Sequence, residues 1–194
     1  MNTASPSTSR AWIELDPEAL KRNVEFLQSR LPKSCRFMPA VKAEAYGHGA
    51  VLIAEQLTQM GIDAFCVACV DEAVSLRLHG IEGEILVLGY THPAQFPLLQ
   101  QYHLSQTIVD ASYAALLDQY GKEHAYTLPV HLAIDTGMHR LGEPFDRTDT
   151  ICRLFHLKHL KIDGIFTHLS ADDSLAPEAC AFTRMQVEHF EQVL

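Results

Sequence analysis

Three observations predict an α/β class built on a parallel sheet. From Arg36 onward, short apolar runs of strand character alternate with amphipathic stretches, giving six strand–helix units. The 194 residues suffice for one domain with a sizeable core, and 47% of them are hydrophobic against 20% charged. No Gly-x-Gly-x-x-Gly follows the first strand, which weighs against a dinucleotide-binding sheet. Six units fit either an open doubly wound sheet or part of an eight-fold barrel.

Residues 1–10 are small and polar and read as a disordered tail or linker ahead of a domain over 11–194. Ala11 to Asp16 alternates apolar and polar, a strand pattern. Asp16 and Pro17 then suit an N-cap and a first helical position, and Leu20, Val24, Leu27 and Leu31 form a helical stripe ended by Pro32. Arg36 to Lys42 reads as the first strand of the repeat, broken only by Pro39. A helix through Ala50, Ile53, Ala54, Leu57 and Met60 follows and stops at Gly61. Strands are predicted over 64–70, 85–88, 106–109, 128–134 and 162–167. The helices after them run from Asp71 to His79, after Pro93, through Leu116 and Tyr120 to Gly121, around Thr150 to Leu157, and from about Pro177. The last helix shows an apolar face of Phe182, Met185, Val187, Phe190 and Val193, expected to lie bare.

A formal net charge of −9 argues against nucleic acid or an anionic membrane as the main partner. No apolar run reaches the ~18 residues of a spanning helix, and the start has no signal-peptide pattern. Five cysteines scattered through apolar segments read as reduced thiols in a cytoplasmic compartment. Cys66 and Cys69 lie three apart in a predicted strand, so they face opposite sides and suit neither a metal clamp nor a redox pair. His156 and His159 lack further ligands, and no metal is expected.

Three stretches carry chemistry. In Pro39-Ala40-Val41-Lys42-Ala43-Glu44-Ala45-Tyr46-Gly47-His48-Gly49, a lysine closes an apolar strand. Burying its ammonium is costly unless it is paired, deprotonated or bonded to a carbonyl as a Schiff base. The same residues also fit a lysine that snorkels at a strand end. In His131-Leu132-Ala133-Ile134-Asp135-Thr136-Gly137-Met138-His139-Arg140-Leu141-Gly142, a strand runs into a tight turn that presents Met138 and Arg140 to a pocket. Arg140 there either grips a carboxylate or pairs with Asp135. In Gly164-Ile165-Phe166-Thr167-His168, a histidine ends a strand, either stacked on a flat ring or satisfied in the core. Asp172 and Asp173 read as a loop and helix-cap pair.

These three stretches resemble, in the same order, the motifs of alanine racemases. The resemblance covers nearly the whole chain from Ala11. It selects the parallel (β/α)8 TIM-type barrel, here truncated after about six strand–helix units. It implies pyridoxal 5'-phosphate as cofactor, held by Lys42 and Tyr46 with His168 and Arg140 beside it. It also implies Lys42 as a catalytic base, and Arg140 and Met138 as substrate-binding residues. The implied activity is interconversion of L- and D-alanine, or of L- and D-serine, for cell-wall precursors. A homodimer is implied for the full-length protein. Ile85 to Pro93 and Met138-His139-Arg140 look closest to the racemase domains fused to membrane proteins in glycopeptide (vancomycin) resistance, which implies a tether through an N-terminal domain outside this chain. Two positions depart from the family pattern. His139 stands where many members have glycine, and Ala133 where many have a lysine that orients the arginine. The other reading is a non-catalytic barrel that binds or buffers pyridoxal phosphate. Arg140, a substrate-handling feature, speaks against it.

Overall fold

A computed structural model describes residues 10–194 of the chain. The tail expected over 1–10 lies, but for Arg10, outside the described residues.

The strand expected over 11–16 does not form, and Trp12 and Ile13 are exposed. Among the described residues no strand pairs with this segment. Alternation makes a strand only where a neighbour takes the backbone bonds. Helix α1 (Pro17–Ser29) starts as predicted. The Asp16 carboxylate accepts the Glu18 and Ala19 amides at 2.9 and 3.1 Å, and Pro17 fills a position that needs no N–H.

The strand expected over 36–42 shrinks to one bridge, between Ala40 and Cys66. The Val41 amide donates to Cys66 O and the Cys66 amide to Pro39 O, both at 2.9 Å. Continuing that parallel ladder requires an N–H at position 39, and proline has none. Beyond the bridge, Lys42 opens a short turn, α2 (Lys42–Gly47), rather than closing a strand.

The remaining units follow the predicted alternation. They are α3 (Ala50–Gln59), β1 (Ala64–Val67), α4 (Val70–Leu78), β2 (Glu84–Val87), α5 (Phe96–Gln101), β3 (Ser105–Ile108) and α6 (Ala111–Glu123). After these come β4 (Leu128–Asp135), the short β5 (Glu143–Pro144), α7 (Thr148–Leu154), β6 (Leu160–Thr167) and α8 (Pro177–Glu191). Gly121 does not stop α6, which runs on to Glu123. It lies where the helix meets the chain ahead of β6. A Cβ there would come within 2.6 Å of His159 Cβ and of Tyr126 O.

The Ala40 bridge, β1, β2, β3, β4 and β6 pair side by side in chain order, all parallel. An open doubly wound sheet reverses direction at a switch point. Among the described residues no reversal occurs, so the winding is that of a barrel, seen as an arc. One strand face, with Phe65, Val67, Ile85, Val87, Ile108, Val130, Leu132 and Ile134, is buried in the main core with the helices. Each such side chain contributes about 1.5–3 kcal/mol. The other face lines the arc's interior, where Glu84 joins Arg36 (2.6 Å) and His131 (2.9 Å). Gly164 of β6 passes beside that histidine. A Cβ on it would stand 3.1 Å from His131 Nδ1.

The face of α8 expected to lie bare is largely covered. Phe190 and Val193 pack on the core, and Met185 and Phe182 close on Gly137, leaving Val187 exposed. Among the described residues, no helix is long and apolar enough to cross a membrane.

Candidate active site

The C-terminal ends of β1, β2, β4 and β6 surround a cleft of about 200 Å³. Lys42, Met138, Arg140 and His168 all line it, with Ala133, Asp135 and Phe166. Four of the five residues singled out from the sequence therefore meet in one place. The fifth, Tyr46, sits on the turn beside Lys42, but its side chain is exposed and does not line the cleft.

Lys42 is held by an unusual backbone. Ala43, Glu44, Ala45 and Tyr46 all have left-handed φ values, between 48° and 56°. Each such residue costs roughly 1–2 kcal/mol, so the turn needs support. Glu72, in the first turn of α4, supplies it. Its carboxylate accepts the Ala43 amide at 2.8 Å and the Ala68 amide at 2.7 Å. Glu44 caps α3 through the Ala50 amide at 3.1 Å, and Ala45 is buried. Gly47 and Gly49, at φ 93° and 89°, return the chain to a right-handed helix. Among the described residues no carboxylate lies within ion-pair distance of Lys42.

The Asp-Thr-Gly turn builds the arginine arm. Asp135 Oδ1 accepts the Gly137 and His139 amides at 2.9 and 3.0 Å, and Oδ2 lies 3.0 Å from His139 Nδ1. Burial raises the Asp135 pKa, but the His139 and Gly137 amides and the His139 ring outweigh it and hold the carboxyl below its usual range. His139 sits at φ 56°, a conformation glycine favours, with its ring fixed by this contact. Asp135 is thus occupied by the turn and does not pair with Arg140. Among the described residues Arg140 has no ion-pair partner.

His168 follows β6. Burial, then the charges of Arg140 and Lys42, hold it below the ordinary imidazole range, while Asp172 acts the other way. The ring is therefore neutral near pH 7. Asp172 and Asp173 lie in a turn, and α8 starts from Ala176 with no side-chain cap, so they are a loop pair but not a helix cap. The Cys66 thiol is pushed up to about 11 by burial and then by Glu84, with Lys42 opposing, and so stays protonated and unreactive.

Two supporting residues were not singled out from the sequence. Glu72 reads there as an ordinary acidic residue in a first helical turn. Gln186 interrupts the apolar face of α8 between Phe182 and Phe190, and a polar residue in that position is a signal the pattern does carry.

A sequence profile of the alanine racemase N-terminal domain matches residues 15–194. The chain belongs to the alanine racemase N-terminal domain family. An amino-acid racemase of Enterococcus faecalis is 43% identical over 187 residues, covering 96% of this chain and 26% of that protein. A serine/alanine racemase of Enterococcus gallinarum is 40% identical over 185 residues, covering 95% and 26%. The solved alanine racemase of Clostridium difficile 630 in complex with cycloserine superposes with a TM-score of 0.84 at 29% identity, covering 91% of this chain and 48% of that one. The chain thus spans a quarter of those two curated relatives and about half of the solved one. The alanine racemase fold accounts for the chain-order winding of the arc and for a cleft at the strand ends.

Proposed function

We propose that this domain holds pyridoxal 5'-phosphate for a racemase of small amino acids, acting on alanine or serine. The observation that carries the reading is the cleft's charge pattern. Lys42 and Arg140 both face it without an ion-pair partner among the described residues, beside a histidine kept neutral. A site that gathers unpaired cations over an apolar floor suits an anionic ligand with a flat ring. The donor set fits the cofactor: an amine for its aldehyde, an imidazole and a guanidinium for its ring and for a substrate carboxylate. Tyr46, on the turn beside Lys42, would be the residue for its phosphate.

When bound, the cofactor supplies an electron sink for the negative charge left at the α-carbon. Lys42 Nζ takes or returns the α-proton on one face. Arg140 fixes the carboxylate, which orients the α-carbon toward Lys42. Asp135 is engaged by its turn and is not free to act as the base on the opposite face. We extend the reading to a homodimer for the full-length protein, in a cytoplasmic compartment, supplying D-amino acids to cell-wall precursors.

The test is labelling. The chain is incubated with pyridoxal 5'-phosphate, reduced with borohydride and digested. The label is expected on the Lys42 peptide, with visible absorbance lost in Lys42→Ala. Label on another lysine overturns the site. Exchange of the α-proton of alanine or serine in heavy water by the full-length protein then separates a racemase from a cofactor carrier.

A further inference from the structure

We propose that Gln186 is a positioning residue that clamps together the two loops carrying Arg140 and His168. This rests on the reading of the cleft as a pyridoxal 5'-phosphate site.

Gln186 is completely buried on α8 and is not among the residues lining the cleft. A buried amide is costly unless its bonds are made, and this one makes four. Nε2 donates to Thr136 Oγ1 at 3.2 Å and to the His168 carbonyl at 3.1 Å. Oε1 accepts the Ser170 amide at 3.0 Å and its hydroxyl at 3.2 Å. The opposite amide orientation would aim Nε2 at the Ser170 N–H, donor against donor, so the bonds fix which way the amide points.

The bonds continue in one direction. Thr167 Oγ1 donates to the Ile134 carbonyl at 2.8 Å, so its 2.7 Å contact with Thr136 Oγ1 must be donated by Thr136. Thr136 then accepts from Gln186. The donor chain runs from Gln186 through Thr136 and Thr167 to Ile134, an arrangement in which each bond polarises the next.

The location gives these bonds their purpose. The β4–β6 ladder ends at Ile134 and Thr167. Past that point, among the described residues, no backbone bond joins the Asp135–Gly142 loop to the His168–Asp172 loop. The tie is made by the Thr136–Thr167 contact and by Gln186. Arg140 and His168 sit on these loops and are both exposed. Their separation therefore depends on what stands behind them. His189, one turn along α8, adds a second strut through its 2.9 Å contact with the Thr136 carbonyl, its ring stacked 3.7 Å from that of Phe145. A methionine would fill the Gln186 volume without any of the bonds.

The experiment compares wild type with Gln186→Met and Thr136→Val by amide hydrogen exchange without ligand, and by titration with pyridoxal 5'-phosphate. Gln186→Met should speed exchange in both loops by at least about tenfold, the size of one lost hydrogen bond. It should weaken cofactor binding by a similar factor while Lys42 remains the labelled residue. Thr136→Val should loosen the Asp135–Gly142 loop alone, and Thr136→Ser should restore it. An increase confined to α8, or unchanged cofactor affinity despite loosened loops, overturns the clamp. If Gln186→Met does not fold, the Thr136 pair with Ser170→Ala decides the matter one loop at a time. If wild type fails to take the cofactor at Lys42, the functional reading falls, while the exchange data still judge the clamp.

Discussion

The carboxylate of Glu72 bridges the amides of Ala43 and Ala68, and so ties the residue after Lys42 to the end of β1. It offsets the strain of four left-handed residues in a row. Glu72→Gln keeps one acceptor and turns an amide donor against the second N–H. A hydrogen bond to a charged group contributes about 1.5–3 kcal/mol, which corresponds to a fall in Tm of roughly 3–12 °C for a domain of this size. Thermal denaturation checks this. Borohydride labelling of Lys42 should slow in the same variant, because the turn that presents the amine is loosened. An unchanged Tm would assign the support of the turn to Glu44 and the buried Ala45 alone.

Asp135 gives a second expectation, with a sign set by its lowered pKa. A carboxyl held below its usual range in the folded state adds stability that is present above ~4, where the unfolded chain titrates. That stability is lost as pH falls through the folded value. Asp135→Asn retains an acceptor for the Gly137 and His139 amides but cannot titrate. The difference in stability between wild type and Asp135→Asn should shrink as pH falls below ~4. Denaturant midpoints at neutral and acid pH measure it, and a constant difference overturns the assignment.

Much of this was legible in the sequence because it depends on local pattern. The Asp16 cap, the break at Gly61 and the alternating units from Ala64 onward are signals carried within a few residues. So are the motifs that bring Lys42, Met138, Arg140 and His168 to one cleft. What was not legible depends on a distant partner. The 11–16 alternation finds no neighbour, and Pro39 removes one ladder bond and reduces a predicted strand to a bridge. A Lys-Ala-Glu-Ala-Tyr run gives no sign of left-handed backbone, since its support comes from Glu72 on another helix. Gln186 is a bare polar letter until α8 is seen behind both loops.

Gly121 tests the reinterpretation of a predicted helix stop as a packing site. A Cβ at this position would stand 2.6 Å from His159 Cβ and from the Tyr126 carbonyl oxygen. In a free helix, Gly→Ala would stabilise by roughly 1 kcal/mol. Here the clash must push α6 away from the start of β6, and overpacking of this kind costs about 1–3 kcal/mol. Gly121→Ala should therefore lower Tm. A rise would mean that the glycine serves only to weaken the helix end.

Ala133 lies on the cleft wall and pairs in register with Phe166 of β6. Its small side chain leaves the wall neutral between Lys42, Arg140 and His168. The His168 ring is already held below the ordinary ~6.5, by burial and then by Arg140 and Lys42. A lysine at 133 would place a third cation against it, and Asp135 is bound up in its own turn. In Ala133→Lys the His168 pKa should therefore fall further than in Ala133→Met, which adds similar bulk without charge. The neutral form is favoured in the fold, so His168's contribution to stability is present above ~6.5 and lost as pH falls through the folded value. The added lysine should extend that loss to lower pH. NMR titration of the His168 ring in the three proteins reads the shift directly. Equal pKa values in the lysine and methionine variants would show that the new amine escapes the cleft. In that case the alanine wall is not what keeps charge away from the histidine.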